Sequence, residues 1–383
     1  MASKNEVVVS VEKLVSTAFI REHSALVKIP GYRVNSVSVV PFGAHPTYML
    51  GWSDVKEFEA YGEDYEFETK HREATKNPEA LDAWIKEWVL DCPSHEDYLC
   101  KLGEDGILAL KEKGRGDMWE YQLPFILEKV SLIIECNQIE TMIVTASREI
   151  KEKILNRDHK VMLCGVGASG LAAWLAYYRL KEEGHLVDLM IGNGLYGLAP
   201  RPVDPSLINS PTLHTCKIMA NGVWAYNLIM SGENQRSMSI LGAGQIDKFG
   251  NINSGRISDK IFLSGPGGSA DALQAGETVV VIAQSRIRFV EGVPYITVPG
   301  AKVKTLISDL GIFEKLGNDE EFCLTACLPN SKFPTLDEKI ENVKANCGWE
   351  LRVAPIVKEI SPPTSDELTT LRILDSDNLF RHE

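Results

Sequence analysis

A strand–loop–helix–strand pattern in the middle of the chain constrains its fold most. The apolar run Lys160–Cys164 leads into Gly165-Val-Gly167-Ala-Ser-Gly170, followed by the helix-like Leu171–Glu183 and a second apolar run, Leu186–Ile191. Two apolar strands joined by a helix are typical of a parallel sheet, because parallel neighbours need a crossover connection. Glycines let the backbone approach a ligand closely, and the start of a helix offers free N–H groups to an anion. The pattern predicts an α/β fold with a candidate ligand loop between its first two core strands.

The loop also fits G-x-G-x-x-G, the fingerprint of dinucleotide-binding folds. That interpretation requires an acidic residue at the end of the second strand, where it would bind the ribose hydroxyls. Asp188 stands near the start of that strand instead, and Gly192 follows its end. NAD binding therefore ranks last among the interpretations, and a tight turn that binds nothing stays open.

The rest of the chain adds short strands after this unit and a helix-rich segment before it. Further strands are predicted at Ser237–Leu241, Lys260–Leu263, Thr278–Ala283, Arg286–Val290 and Tyr295–Val298. The N-terminal segment carries two extended stretches, Glu6–Val11 and Arg33–Val40, and two predicted helices, Asn77–Leu90 and Ser94–Leu102. Residues 103–118 carry four glycines among charges, which predicts a linker. The expected architecture is an open α/β sheet with a β-rich C-terminal half.

Composition and charge exclude several classes of protein. The net charge of −13 argues against a nucleic-acid binder and against attraction to anionic membranes. Met1–Val15 lacks the apolar core of a signal peptide, no apolar run is long enough to span a bilayer, and the eight cysteines form no secreted disulfide framework. We therefore expect a cytoplasmic protein. A phosphorylated ligand remains compatible with the charge, because backbone amides bind phosphate without net positive charge.

Four glycine-containing motifs follow one another in a specific order. They are the loop 165–170, Asn193-Gly194-Leu-Tyr-Gly-Leu-Ala-Pro200, Gly242-Ala-Gly244-Gln245-Ile-Asp247-Lys-Phe-Gly250-Asn251-Ile-Asn253-Ser254, and Gly265-Pro-Gly267-Gly268-Ser-Ala-Asp271. Together they resemble the β subunit of family I CoA-transferases, the glutaconate CoA-transferase branch in particular. The resemblance covers about residues 137–375 and implies a CoA-transferase-like open α/β sheet.

The N-terminal segment resembles a different polypeptide of the same family. Val7-Val-Val-Ser-Val-Glu12, Ile29-Pro-Gly-Tyr32 and Pro41-Phe-Gly-Ala-His45-Pro46 look like the last third of the α subunit. The resemblance divides the chain into a segment like the C-terminal part of the α subunit (1–115), a linker and helix (116–136) and a domain like the β subunit (137–383). It implies a hetero-oligomer in which an α-subunit-like partner chain supplies the rest of the α half.

One residue departs from the pattern of the family. In the transferases a glutamate two residues before the glycine of the second motif is acylated during turnover, and here that position is Gly192. Covalent CoA transfer needs a carboxylate as carrier, so the resemblance implies the scaffold and an acyl-CoA ligand without the transferase nucleophile. Superfamily members that lack this glutamate hydrolyse carbon rings of CoA-linked steroid fragments or decarboxylate glutaconyl-type CoA thioesters, both through an enolate or carbanion. In the ring-opening relatives a key glutamate belongs to the α subunit, so the base is expected on a partner chain.

The candidate site residues follow from the residues and from the resemblance. Asn193, Tyr196 and His45 are the candidate catalytic side chains, with Tyr196 as a donor to an enolate oxygen; a packed aromatic and a structural loop histidine stay open as alternatives. Residues expected to bind substrate or CoA are Gly165, Gly167, Gly170, Gly194, Gly244, Gln245, Asp247, Asn251, Gly265, Gly267 and Gly268. No metal site and no permanently bound cofactor are expected, since coenzyme A enters as part of the substrate.

Three functions remain open from the sequence. The first is C–C bond hydrolysis (ring opening) or decarboxylation of an acyl-CoA thioester. The second is genuine CoA transfer with a displaced carboxylate. The third is a non-catalytic component that binds CoA esters. Gly192 favours the first of these functions.

Overall fold

The computed structural model describes residues 6–382 except 52–54, 56–58, 132–134, 203–208 and 232–235. The chain divides into two units, Met1–Met118 and Trp119–Glu383. None of the helices within these described residues is both long and apolar enough to cross a lipid bilayer.

The described part of the first unit contains a small sheet and five helices. Strands β1 (Val8–Val11) and β2 (Ser36–Val39) pair in parallel. The helices are α1 (Thr17–Glu22), α2 (Tyr65–Ala74), α3 (Pro78–Ile85), α4 (His95–Leu102) and α5 (Glu104–Lys113), and a π-helical turn, Lys86–Leu90, continues α3. Ser94 caps α4 in a capping box with Asp97, at the start of the helix predicted over Ser94–Leu102. The centre of the unit is aromatic, with the Phe42 and Tyr61 rings stacked 4.0 Å apart.

The linker predicted at residues 103–118 is wrong, because α5 occupies most of it. Gly103 adopts a positive φ of 79° between α4 and α5, so it separates two helices instead of opening a long loop. Acidic residues Glu104 and Asp105 stand in the first turn of α5, and Lys111 and Lys113 stand in its last turn. This distribution complements the helix dipole and offsets the cost of Gly106 inside the helix.

The second unit, over its described residues, contains the large sheet, a small sheet and eight helices. Its strands are β3 (Val161–Cys164), β4 (Asp188–Ile191), β5 (Leu195–Leu198), β6 (Ile218–Met219), β7 (Ser237–Leu241), β8 (Gln245–Asp247), β9 (Ile252–Asn253), β10 (Glu277–Val281), β11 (Phe289–Val290), β12 (Val303–Ile307), β13 (Gly311–Glu314), β14 (Cys323–Cys327) and β15 (Arg352–Glu359). Its helices are α6 (Met118–Ser131), α7 (Gln138–Arg157), α8 (Ala168–Glu182), α9 (Ser210–Leu213), α10 (Gly222–Trp224), α11 (Ser269–Ala272), α12 (Leu336–Ala345) and α13 (Ser365–Leu374). A π-helical segment, Ala225–Met230, continues α10.

Ten of these strands form one mixed sheet in the order β15-β14-β13-β12-β10-β7-β3-β4-β5-β6. The neighbouring strands β10, β7, β3 and β4 are all parallel, and β7 and β10 are buried along their whole length. Burial on both faces explains the apolar runs that end these two strands, Ile240–Leu241 and Val279–Val281. The three strands β11-β8-β9 form a separate small sheet. The predicted α/β class and the open sheet with a β-rich C-terminal half are confirmed.

Two predicted strands do not form. Residues 260–263 and 295–298 make only isolated bridges, from Phe262 to Arg256 and from Val298 to Ile252. Phe262 is 71% exposed, so this apolar run packs against no layer that would extend the pairing. A run of apolar residues identifies a strand only when a neighbour and a buried face are available to it.

Candidate functional site

Three of the four motifs meet at one edge of the large sheet. The loop 165–170 follows β3, Gly192 follows β4, and Gly242 follows β7. Because β7, β3 and β4 are adjacent and parallel, their carboxyl ends lie side by side. Ligands of open α/β sheets bind in crevices beyond the carboxyl ends of the strands. This edge is therefore the candidate site.

The glycines of the first motif serve close packing. A Cβ on Gly165 would lie 2.6 Å from the Ile240 carbonyl oxygen, and one on Gly170 would lie 2.6 Å from the Gly165 carbonyl oxygen. Gly167 has a φ of 73° and starts α8. The loop is thereby held tightly between β3 and β7, in the arrangement that glycine alone permits.

A cavity of about 480 Å³ opens beside this loop. Val166 and Ser169 line it from the loop, Gly242 lines it from the end of β7, and Arg288 and Phe380 contribute as well. The cavity combines apolar walls with a few polar groups, as small-molecule sites do.

The space that a side chain at position 192 would need is filled by a side chain from another part of the sequence. A Cβ built on Gly192 would lie 1.7 Å from the Tyr226 hydroxyl oxygen and 2.4 Å from its Cζ. Gly192 has no positive φ, so its backbone conformation does not require glycine. The Tyr226 ring is what excludes a side chain at this position.

Tyr226 also reaches the fourth motif. A Cβ on Gly268 would lie 1.9 Å from the same hydroxyl oxygen, and Gly268 likewise has an ordinary φ of −88°. The phenol therefore lies between two glycines, and a side chain at either position would overlap it. Burial raises the pKa of Tyr226, and the negative charge of Asp271 raises it further. The phenol is consequently protonated and neutral at neutral pH.

The helix that carries Tyr226 is fixed to the turn after β4. Asn221 caps this helix by accepting a hydrogen bond from the Trp224 amide at 3.0 Å. The Ala220 amide donates to the Gly194 carbonyl at 2.9 Å, and Gly194, with a φ of 106°, leaves room for the Asn221 backbone. The π-helical segment 225–230 follows at once. π-helical turns are rare and are frequently found at functional sites.

The two predicted catalytic residues of the second motif lie in different surroundings. Asn193 is exposed in the turn, where its Oδ1 accepts a weak hydrogen bond from the Leu195 amide at 3.4 Å. The Tyr196 hydroxyl donates to Asp188 Oδ2 at 2.8 Å, and Asp188 also binds Lys217 at 2.6 Å. Burial and the Asp188 carboxylate raise the pKa of Tyr196 to about 12. Tyr196 is thus hydrogen-bonded toward the amino end of β4, and its proposed role as an enolate donor stays a prediction.

The polar residues of the third motif hold their own loop together. Asp247 accepts hydrogen bonds from the amides of Phe249 and Asn251, both at 3.0 Å, and from the Asn251 side chain at 3.0 Å. Gln245 donates to the Ile287 carbonyl at 2.8 Å and accepts from Asn253 at 2.9 Å. Gln245 and Asp247 are buried, so these contacts satisfy groups whose burial would otherwise be costly.

The remaining glycines of motifs three and four have separate roles. Gly244 packs against Leu263 and the Asn253 carbonyl. Gly265 and Gly267 adopt positive φ values of 94° and 53° in the loop before α11. Their assignment to CoA binding stays a prediction.

His45 belongs to the first unit and is engaged there at both ring nitrogens. Its Nδ1 lies 2.6 Å from the Tyr98 hydroxyl and its Nε2 lies 3.2 Å from Asp64 Oδ2. Its side chain is fully buried. These contacts suit a histidine that fixes the loop 41–46, and its catalytic role stays a prediction. In both units, the described residues contain no group of three or more His, Cys, Asp or Glu side chains arranged to hold a metal ion.

Sequence reasoning missed Tyr226. It stands in Asn221-Gly-Val-Trp-Ala-Tyr226, which matches no motif and carries no catalytic spacing. Nothing in the sequence alone marks it, because its place is revealed by two glycines, at positions 192 and 268, whose backbone conformations in the structure do not require glycine.

Comparison with known proteins gives a family. No protein-family model matches the chain. The chain is 30% identical over 263 residues to the B subunit of 3-oxoadipate CoA-transferase from Pseudomonas knackmussii, a match that covers 63% of this chain and 95% of the relative. It is 35% identical over 104 residues to the A subunit of glutaconate CoA-transferase from Acidaminococcus fermentans, covering 27% of this chain and 30% of the relative. This second match therefore spans less than a third of that relative.

The structure of glutaconate coenzyme A-transferase from Acidaminococcus fermentans has the same fold. It superposes with a TM-score of 0.55 at 20% identity and covers 65% of this chain and 98% of that chain. The shared fold therefore agrees with the sequence match, which extends over nearly the whole of the 3-oxoadipate relative. On this basis the chain belongs to the family I CoA-transferase superfamily.

Proposed function

We propose that this chain is one component of an enzyme that acts on an acyl-CoA thioester and breaks a C–C bond in its acyl group, by hydrolysis (ring opening) or decarboxylation. The family membership supports an acyl-CoA substrate, because the curated relatives are CoA-transferase subunits. The reaction class is inferred from the site.

The observation that carries the proposal is the state of position 192. The family's covalent mechanism needs a carboxylate there, and this chain has a glycine whose Cβ position lies within 1.7 Å of the Tyr226 hydroxyl. A glutamate could not be accommodated without displacing that ring. Compared with the pattern of the family, this chain lacks the glutamate and also fills its space with the Tyr226 ring. Both features argue against covalent CoA transfer through this position.

Neighbouring carboxylates offer a second possibility. Asp188 is engaged with Tyr196 and Lys217, but Asp271 is exposed and close enough to Tyr226 to raise its pKa. We infer that Asp271 is the candidate for a displaced carboxylate if the enzyme transfers CoA, and the name of the 30% identical relative favours that reaction. CoA transfer is therefore the alternative function.

A partner chain forms part of the proposal. By name, the relatives are the A or the B subunits of their enzymes. In the first unit, β2 is exposed along its whole length, and Val8, Val37 and Val39 each expose about half or more of their surface. Parallel sheets are normally covered on both faces. We infer that an α-subunit-like chain covers β1 and β2.

The test is a product analysis with the assembled complex. The chain is co-expressed with the α-subunit-like protein of its source organism, and the complex is mixed with a panel of acyl-CoAs plus acetate. Mass spectrometry of the products should show an acyl-CoA that gains water or loses carbon dioxide, with no acetyl-CoA. Formation of acetyl-CoA would contradict the proposal, and its loss in Asp271→Asn would assign the transfer to that carboxylate.

A further inference from the structure

The space between Gly192 and Gly268 holds a polar atom, the Tyr226 hydroxyl oxygen. Both glycines have backbone conformations open to any residue, so steric clearance for the phenol is the physical reason for glycine at each. Gly192 stands between β4 and the second motif, and Gly268 belongs to the fourth motif, before α11. The hydroxyl thus lies where the second and fourth motifs converge, at the carboxyl edge of the parallel strands.

The Tyr226 ring packs against a hydrophobic cluster, while its hydroxyl is not engaged, among the described residues, in a hydrogen bond that shifts its pKa. The ring packs against a cluster that includes the buried residues Leu163, Met190 and Ala272. Burial and the charge of Asp271 account for its raised pKa, with no hydrogen bond within the described residues among the causes. By contrast, the Tyr196 hydroxyl is committed to Asp188. A fixed, protonated hydroxyl in these surroundings is available to donate a hydrogen bond to a bound molecule.

We propose that the Tyr226 hydroxyl is the hydrogen-bond donor to the thioester carbonyl oxygen of the acyl-CoA substrate and stabilises the negative charge that develops there. This inference rests on the proposed function and names the group that acts in it. The hydroxyl oxygen lies almost where a Cβ on residue 192 would be. The glutamate of the family would extend from that Cβ toward the acyl group.

The chemistry of both candidate reactions calls for such a donor. In decarboxylation of a glutaconyl-type thioester the bond between the γ-carbon and the carboxylate breaks, carbon dioxide leaves, and the electron pair passes through the conjugated double bond to the thioester oxygen as a dienolate. In ring opening, water adds to a ketone, the bond from that carbon to the α-carbon breaks, and the electron pair again reaches the thioester oxygen. The enolate later takes a proton from water, while the Tyr226 proton stays on its own oxygen throughout. A preorganised donor aimed at the developing charge is among the largest contributions to catalysis.

Conservative substitution at Tyr226 tests the inference. In the assembled complex, Tyr226→Phe should lower kcat for acyl-CoA conversion about 10²- to 10³-fold, the cost of removing one such donor, and should leave KM within about threefold because ground-state binding is retained. Tyr177→Phe is the matched control: Tyr177 is a half-buried tyrosine of the same unit whose pKa is also raised by burial. It lies on α8, away from the two glycines that flank Tyr226, and should leave kcat unchanged.

A second measurement does not depend on turnover. Acetoacetyl-CoA forms an enolate with its own ultraviolet absorbance, and binding to the wild-type complex should raise the enolate fraction at a fixed pH. The enolate fraction should fall in Tyr226→Phe to the value of free acetoacetyl-CoA and should be unchanged in Tyr177→Phe. Gly192→Ala should reproduce the loss, because its Cβ displaces the phenol while the hydroxyl group itself is still present.

The outcomes distinguish the role proposed for Tyr226 from the proposed function. If the wild-type complex breaks a C–C bond without transferring CoA, and Tyr226→Phe keeps its kcat and its enolate signal, the assignment of Tyr226 is overturned and the proposed function survives. If the wild-type complex moves CoA to acetate, the proposed function is overturned together with the role given to Tyr226.

Discussion

At the scale of single residues, the contact between Gly192 and Tyr226 is the feature with the sharpest physical consequence. Where a side chain is lost, the space it filled usually becomes a cavity or is open to solvent. Here that space is filled by the Tyr226 phenol, which is carried by a different element. Glycine at 192 is therefore a packing requirement of Tyr226. The two positions should behave as a coupled pair in any measurement of stability.

Gly192→Ala should lower the free energy of unfolding by about 1–3 kcal/mol, because a Cβ that overlaps the phenol forces the ring out of its place. In a Tyr226→Ala background the same change should have an effect near zero, since the overlapping atoms are gone. Urea unfolding of the four proteins of the cycle measures the coupling. Gly292→Ala is the control, because no atom lies within 4 Å of the Cβ it would add. Equal costs for Gly192→Ala in both backgrounds would contradict the packing argument.

At the scale of elements, an ion pair joins α7 to the start of α13. Arg148 donates to both carboxylate oxygens of Glu367, at 2.8 and 2.6 Å, and also to the carbonyls of Ser361 and Pro362. Glu367 closes the capping box of α13 with Thr364 as well. Burial opposes ionisation of Glu367, but the hydrogen bonds from Arg148 and Thr364 outweigh it and lower the pKa to about 2.

This ion pair predicts a pH dependence of stability. The folded pKa of Glu367 is below its ordinary value, so its contribution is complete above that ordinary value, 4.5, and is lost as the pH falls toward 2. Glu367→Gln should lower the free energy of unfolding by about 2 kcal/mol at pH 7 and by much less near pH 2. Urea unfolding at the two pH values checks this expectation.

Glu338 provides the matched control for that measurement. It occupies the same capping-box position in α12, where it binds Thr335 and no arginine among the described residues. Glu338→Gln should therefore cost less at pH 7 than Glu367→Gln. Equal losses would show that capping, and not the arginine pair, accounts for the effect of Glu367.

At the scale of the whole molecule, the parallel pair β1–β2 has few stabilising neighbours, since β2 is exposed along its whole length. Two strands alone are marginally stable, and a sheet of this size usually depends on further strands or a covering layer. The strands of the large sheet, such as β7 and β10, are buried throughout. The pair β1–β2 is therefore the part of the structure that we expect a partner chain to stabilise.

Amide hydrogen exchange should report this dependence. Residues 8–11 and 36–39 should exchange quickly in the isolated chain, and at least about tenfold more slowly once the α-subunit-like partner is bound, because opening of the small sheet becomes less favourable. Exchange in β7 and β10 serves as the internal control and should stay slow in both states. Unchanged exchange of β1 and β2 in a complex verified by gel filtration would contradict the inferred place of the partner.

The sequence by itself determined much of the local structure and the family. The strands around residues 160–164, 186–191 and 237–241 and the glycine loop follow from apolar runs and from steric needs that involve neighbours in the chain. The capping boxes at the starts of α4 and α13 are local in the same way, since each is satisfied within three residues of the chain. The absence of a carboxylate at position 192 could also be read directly.

Only the tertiary structure decided what replaces that carboxylate. Gly192, Tyr226 and Gly268 are separated by 34 and 42 residues along the chain, and their meeting depends on the order of strands in the sheet and on the seating of the helix 222–230. The same reason explains the apolar run 260–263, which forms no strand because no neighbour pairs with it beyond one bridge. Local patterns reflect forces between residues close in sequence, whereas the occupant of a site depends on which distant side chain fills the remaining space.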